Sequence, residues 1–194
     1  VADYARFLFS ILYFQSPTGF DQISRCVRRF VQHRVFDIDE TDTSQIIGGR
    51  YVELVSFCLM PNHFHLILRE VQAKGIARYM QRVLNSYTKY YNIKYNMSGH
   101  LFQGPYKAVH VVDNEQLVYL STYIHRNPRE LPDWKNKEGG YEWSSYQDYI
   151  GKPRWDKLLS TEMIREQFST VGEYEKFVRT SPAKMGSEDS ENLE

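Results

Sequence analysis

Cysteine is nearly missing from this chain. Its 194 residues hold only two, Cys26 and Cys58. That is too few for a disulfide framework or a four-thiolate zinc site, and it points to a reducing compartment. No apolar run approaches the roughly 20 residues that span a bilayer, and no signal peptide is visible. There is no P-loop, so nothing calls for ATP. What the chain has in excess is aromatic: 15 Tyr and 11 Phe bring the aromatic share to 15%. Hydrophobic residues at 42% and charged residues at 25% suit a soluble globular protein with a real core.

Net charge is zero, which alone argues against a nucleic-acid binder. The more telling absence is local. From Val71 to Val112 there is no Asp or Glu, while Lys74, Arg78, Arg82, Lys89, Lys94 and Lys107 all fall there. Acids collect instead in the tail after Ser181, as Glu188, Asp189, Glu191 and Glu194, a stretch read as disordered. Such asymmetry says more than the total.

The periodicity predicts a helix over Asp3–Phe14 and a second from Asp21 to about Val35. Residues 37–49, acidic and then Gly-rich, read as a loop or a weakly ordered insertion. Tyr51–Leu59 and His63–Arg69 read as strands joined by the turn Met60-Pro61-Asn62. A long helix is expected over Gly75–Tyr95, a loop over Asn96–Gly104 and a strand over Tyr106–Val112. A helix follows from Asp113 or Asn114 to Asn127, before Pro128. Trp143-Ser144-Ser145-Tyr146 opens a short helix, and two more are expected at Thr161–Phe168 and Gly172–Val178. This order predicts an α+β fold with a central antiparallel sheet flanked by helices. Residues 1–150 would form one catalytic domain, 151–180 a helical extension and 181–194 an acidic tail.

Two constellations carry chemistry. His63 and His65 stand two apart on a strand, so both imidazoles project from one face while Phe64 points away. That is a ready pair of metal ligands; the plain alternative is two unrelated polar positions on a half-exposed strand. Tyr123 and Asn127 stand four apart on a helix and share a face. The phenol is a potential nucleophile and the amide oxygen a potential hard ligand, against the plain alternative of a core tyrosine and a helix-ending Asn. His33, His100 and His110 have no spacing that suggests metal. Arg78, Arg82, Lys89 and Lys107 are the best cations for DNA. Tyr79, Tyr87, Tyr90, Tyr91 and Tyr95 could stack on bases, and about half of them are expected to be core. Arg25, Arg28 and Arg29 form a second basic cluster, which as a charge run is more often a solvated face.

Taken together these motifs resemble the single-tyrosine HUH transposases, relatives of the IS200-like transposases. Within them the chain is most similar to the REP-associated tyrosine transposases. The resemblance rests on Met60-Pro61-Asn62-His63-Phe64-His65-Leu66-Ile67-Leu68, on Ser98-Gly99-His100-Leu101-Phe102-Gln103-Gly104 with Tyr106-Lys107, on Tyr123-Ile124-His125-Arg126-Asn127-Pro128 and on Trp143-Ser144-Ser145-Tyr146. It spans roughly residues 51–150. It implies the HUH endonuclease fold, a ferredoxin-like or RRM-like sheet with helices. It also implies cleavage and rejoining of single-stranded DNA near REP-like hairpins, through a covalent 5′-phosphotyrosine on Tyr123. His63, His65 and Asn127 would hold Mg²⁺ or Mn²⁺, with Mn²⁺ the tighter because imidazole suits it better. His125 is read as DNA-contacting or packing.

The family normally begins with a strand ahead of the first helix. Here the chain opens on Val1 in helix-like sequence, so a preceding piece is expected to be missing. Pro105 stands where the family has Arg, which puts one DNA-backbone contact in question. The expected partner is hairpin-bearing single-stranded DNA, with no membrane. The protein would be a monomer or homodimer in the bacterial cytoplasm, nucleoid-associated when bound. Two other readings remain. One is a domesticated module that binds structured DNA and cuts little or not at all. The other is a zinc hydrolase using the histidine pair, though Glu70 is odd-spaced from His65 and would face away.

Overall fold

The strand Val52–Leu59 (β1) is buried at every one of its eight positions. A strand with one solvated face would alternate, so this one must be covered on both sides. Its partner Phe64–Glu70 (β2) is only partly buried. The turn between them is closed by the Met60 amide donating to the His63 carbonyl at 2.8 Å. Among the described residues β1 and β2 form the whole sheet. This is the computed structural model of the chain, and it describes residues 1–18, 22–36 and 38–182. The expected helix cap Asp21 and nearly all of the acidic tail lie outside the described residues.

The chain folds as two compact units, and the hairpin contributes to both. The first comprises Val1–Leu54, Leu68–Pro105 and Arg154–Leu159; the second comprises 55–67, 106–153 and the chain from Ser160.

In the first unit the helix Ala2–Tyr13 (α1) packs against Ile23–His33 (α2) and against Gly75–Tyr95 (α4). The aromatic surplus is used here. Phe9, Phe30, Phe36 and Trp155 meet with ring centroids 5.1–5.8 Å apart, in the tilted and edge-on arrangements that aromatic quadrupoles favour. Tyr79 is wholly buried and donates its hydroxyl to the Ile11 carbonyl at 2.8 Å. Arg82 lies over the Phe14 ring at 4.5 Å and donates to the carbonyls of Ser16 and Thr18. It thus ties the segment after α1 to α4. Glu70 accepts from the Ile76 amide, supplying an acceptor to a helix start whose own first turn holds no acid.

Two expectations fail in ways with physical reasons. Residues read as a loop include a helix, Glu40–Gly48 (α3). Asp39 caps it by accepting from the Thr41 amide at 2.7 Å, and Glu40 and Asp42 complement its positive end. Conversely, Tyr106–Val112 is not a strand but irregular chain. Val109 and Val112 are exposed. The β-branched pattern was right for a strand, but the segment has no neighbouring strand to pair with among the described residues.

In the second unit come Asn114–Arg126 (α5), Tyr146–Ile150 (α6), Glu162–Arg165 (α7) and Val171–Thr180 (α8). Asp113 caps α5 by accepting from the Gln116 amide at 2.7 Å. The Trp143-Ser144-Ser145-Tyr146 segment serves the edge of β1 that β2 does not cover. The Leu59 amide donates to the Trp143 carbonyl, and the Ser145 amide donates to the Phe57 carbonyl, both at 2.9 Å. The Phe57 amide donates to Ser145 Oγ at 2.9 Å. Tyr149 and Tyr141 hydroxyls donate to the Val55 and Leu59 carbonyls, both at 2.7 Å.

Gly75 supplies a test of the first unit. A Cβ there would sit 2.3 Å from the Tyr51 carbonyl oxygen, which is backbone and cannot swing aside. Gly75→Ala should therefore lower unfolding free energy by about 1–3 kcal/mol. At an ordinary helical position the same change adds up to about 1 kcal/mol. Chemical denaturation decides the sign, and a stabilised variant would show that the close approach is not real.

Candidate active site

Four side chains predicted to act together do meet in the second unit. His63 and His65 lie on one face of the hairpin, with ring centroids 5.0 Å apart and edge-on. The His65 ring also meets Tyr123 edge-on at 5.4 Å. His63 Nε2 lies 3.1 Å from Asn127 Oδ1. Asn127 is 2% exposed, and it opens the short 3-10 turn Asn127–Glu130 directly after α5. The period of two along β2 and the period of about 3.6 along α5 thus bring both pairs to one place.

The site is incompletely satisfied. His65 Nε2 and Asn127 Nδ2 are buried without a partner. His63 faces two oxygens, since its Nδ1 lies 2.8 Å from Asn62 Oδ1. A neutral imidazole has one N–H. With that hydrogen on Nδ1 towards Asn62, Nε2 turns a lone pair towards the Asn127 carbonyl oxygen. In that tautomer two electron-pair donors face each other, an arrangement that either a cation or a turned Asn127 amide, whose Nδ2 is otherwise unpartnered, would resolve. Two imidazoles and one amide oxygen suit a divalent ion that takes its remaining ligands from substrate or water. Asn62 is the one member that sequence reasoning missed. Its signal was adjacency: metal-binding histidines generally have their second nitrogen oriented by a neighbour.

Burial also sets the charge states. The His65 imidazole is pushed down to about 4 by desolvation and by neighbouring His63, so it is neutral near pH 7 and keeps a lone pair to give. Burial raises the Tyr123 phenol above its ordinary value, with the Asn127 amide pulling the other way. Without a further positive charge Tyr123 is a protonated, weak nucleophile at neutral pH. Among the described residues no cluster of three or more His, Cys, Asp or Glu is placed to share a metal.

His125 is not on a DNA-facing surface. It is fully buried, and the packing alternative holds. Its Nε2 lies 2.8 Å from Ser145 Oγ and 3.1 Å from Ser56 Oγ, and its Nδ1 lies 2.6 Å from the Tyr174 hydroxyl. The hydrogens follow from counting. Ser121 donates to the Val118 carbonyl at 2.8 Å, so it accepts from the Tyr174 hydroxyl at 3.2 Å. The Tyr174 oxygen then accepts from His125 Nδ1–H, and Nε2 accepts from a serine. Burial lowers the ring's pKa to about 3, in keeping with one N–H. This chain joins β1, the Ser145 segment and α8 to α5, the helix that carries Tyr123 two residues before His125.

The other DNA candidates fall elsewhere. Arg78 and Lys89 are exposed on α4 in the first unit, Arg78 lying over the Tyr51 ring at 5.6 Å. Arg82 is engaged by backbone carbonyls, as described, which leaves it less available for phosphate. Lys107 is exposed in the second unit. Of the α4 tyrosines, Tyr79 is core and Tyr95 is 44% exposed.

A family model described as transposase, IS200-like, matches residues 29–127, just over half of the chain. The matched segment contains His63, His65 and Tyr123 and ends on Asn127. Neither the curated proteins nor the solved structures contain a match.

The buried network can be tested through Tyr174→Phe. Removing the hydroxyl leaves the His125 Nδ1–H and the Ser121 oxygen without that partner. The expected loss is about 1–3 kcal/mol of unfolding free energy. Unchanged stability would show that Tyr174 does not complete the network.

Proposed function

The chain belongs to the IS200-like transposases, and on that premise we propose that it cleaves and rejoins single-stranded DNA through Tyr123. The observation that carries this reading is the meeting of His63, His65, Tyr123 and Asn127 around unsatisfied buried polar atoms. The REP-like hairpin as substrate rests on the motif resemblance described at the outset.

In this reaction Tyr123 Oη attacks phosphorus in line. The P–O3′ bond breaks, a 5′-phosphotyrosine forms, and the 3′ oxygen leaves as a hydroxyl after taking up a proton through solvent, matching the one lost from the phenol. Attack by the 3′-hydroxyl of another strand reverses the step and frees Tyr123. Bond energy is kept throughout, in agreement with the absence of a P-loop. His63, His65 and Asn127 would hold Mg²⁺ or Mn²⁺. Such an ion supplies positive charge that favours phenolate and neutralises phosphate oxygens. The chain's own residues do the positioning. Asn62 orients the His63 ring, His65 offers a neutral ring, and α5 sets the phenol beside His65.

The decisive experiment is covalent trapping. Labelled hairpin oligonucleotides are mixed with the protein and Mn²⁺ or Mg²⁺, and an SDS-resistant adduct is sought. The adduct should form with the native chain and vanish in Tyr123→Phe and with EDTA. An adduct that survives Tyr123→Phe would refute the assignment of the nucleophile. Intact hairpin binding with no adduct under any condition would favour the non-cleaving DNA-binding module.

Asn62→Ala supplies a separate check on the metal. Loss of the group that orients His63 should weaken Mn²⁺ binding by about 10–100-fold, measured by calorimetry on the full chain. Unchanged Mn²⁺ affinity would remove Asn62 from the site.

A further inference from the structure

Beyond Asn127 lies a polar feature that the cleavage chemistry does not use. A pocket of about 750 Å³ opens in the second unit, within the ~300–1,000 Å³ range of small-molecule sites. Arg129, Lys137 and Arg179 outnumber the acids Glu138 and Glu175 in its wall, and the rings of Trp134 and Tyr146 line it as well. Gly140 packs against the Trp134 ring, where a Cβ would lie only 3.3 Å away.

One ion pair in this wall is half-made. Arg129 Nη2 contacts Glu138 Oε1. Arg129 Nε and Glu138 Oε2 are both buried and have no partner. Guanidinium and carboxylate commonly close on two points, so this pair retains one unused donor and one unused acceptor. Leaving such groups unmatched is costly inside a protein. Both atoms are closed to solvent, so a ligand matches them only when the pair opens, and it then needs an acceptor and a donor next to each other on a flat edge. It should tolerate aromatic neighbours and carry negative charge for Lys137 and Arg179. Nucleobases have such edges, and nucleotides add the phosphate.

We propose that this pocket holds one unpaired nucleotide of the DNA strand. Its base lies against Trp134 with its polar edge at the Arg129–Glu138 pair, and its phosphate lies at Lys137 and Arg179. The nucleotide must be unpaired, because pairing would occupy that edge. The proposal rests on the single-strand reading above and deepens it. Arg129 lies two residues after Asn127 in the same short 3-10 turn, so that turn belongs to both the pocket and the candidate cleavage site. The lining residues all lie past residue 127, where the family match ends.

The test uses the full chain with Tyr123→Phe, which binds without bonding. The indole N–H signal of Trp134 is assigned by comparison with Trp134→Phe. Deoxynucleoside monophosphates are then added one at a time, with deoxyribose 5-phosphate as the control. At least one nucleotide should shift the signal, deoxyribose phosphate should not, and Glu138→Gln or Arg179→Ala should weaken the shift. No shift with any nucleotide, or an equal shift with deoxyribose phosphate alone, overturns the proposal.

A second arm measures affinity for a hairpin oligonucleotide carrying an abasic site at successive positions. One position should cost about tenfold, the scale of a lost base–aromatic stack. Trp134→Ala should cost the same, and the two losses should not add. Additive losses, or none for Trp134→Ala, overturn the proposal. An adduct on Tyr123 without a Trp134 shift removes the pocket alone. A shift without any adduct in the native chain removes the cleavage reading alone.

Discussion

A buried backbone must find hydrogen-bond partners, and β1 is where that constraint is most severe. Both of its faces are covered, yet among the described residues only one of its edges meets another strand. Water cannot serve the other edge, so side chains and loops do. In the first unit Gln15 acts as a one-residue neighbour. Its carbonyl accepts from the Tyr51 amide at 2.6 Å, and its side-chain oxygen accepts from the Leu54 amide at 3.2 Å. In the second unit the segment around Ser145 does the same for Phe57 and Leu59. The Trp-Ser-Ser-Tyr element is therefore not ornament around a catalytic motif. It is the missing half of the sheet's hydrogen bonding.

The site inherits its order from that arrangement. β2 pairs with a strand that cannot shift without breaking bonds on its far edge, so His63 and His65 are fixed in register. On the opposite wall α5 is held by His125, whose two nitrogens reach β1, the Ser145 segment and α8. On the Nδ1 side the directions are fixed by counting: Ser121 donates to the Val118 carbonyl, Tyr174 donates to Ser121, and His125 Nδ1–H donates to Tyr174. What is rigid around the site contrasts with what is unsatisfied within it. The polar atoms left over belong to residues that the proposed chemistry would use.

Much of the site was legible in the sequence because it depends on period alone. His63 and His65 needed only the two-residue repeat of a strand, and Tyr123 and Asn127 only the turn of a helix. The long helix over Gly75–Tyr95 was legible for the same reason and matched at both ends. What could not be read depends on long-range neighbours. Tyr106–Val112 has strand composition but no pairing partner among the described residues. Glu40–Gly48 read as a loop or insertion because the stretch is acidic and then Gly-rich, yet its Asp39 cap and acidic first turn were present in the sequence to be weighed. His125 and Arg82 looked like polar ligand-binding residues because type and spacing do not report burial. Their partners lie 20 to 69 residues away in sequence, at separations no local pattern encodes.

The half-buried phenol has a further consequence. A tyrosine kept neutral by its surroundings is a dormant reagent, unlike an exposed low-pKa thiol that reacts with whatever electrophile arrives. A chromosome offers phosphodiesters everywhere, and an always-armed nucleophile would be a hazard to its own host. If Tyr123 is the nucleophile proposed above, withholding its reactivity until positive charge and substrate arrive together makes latency a property of the resting fold.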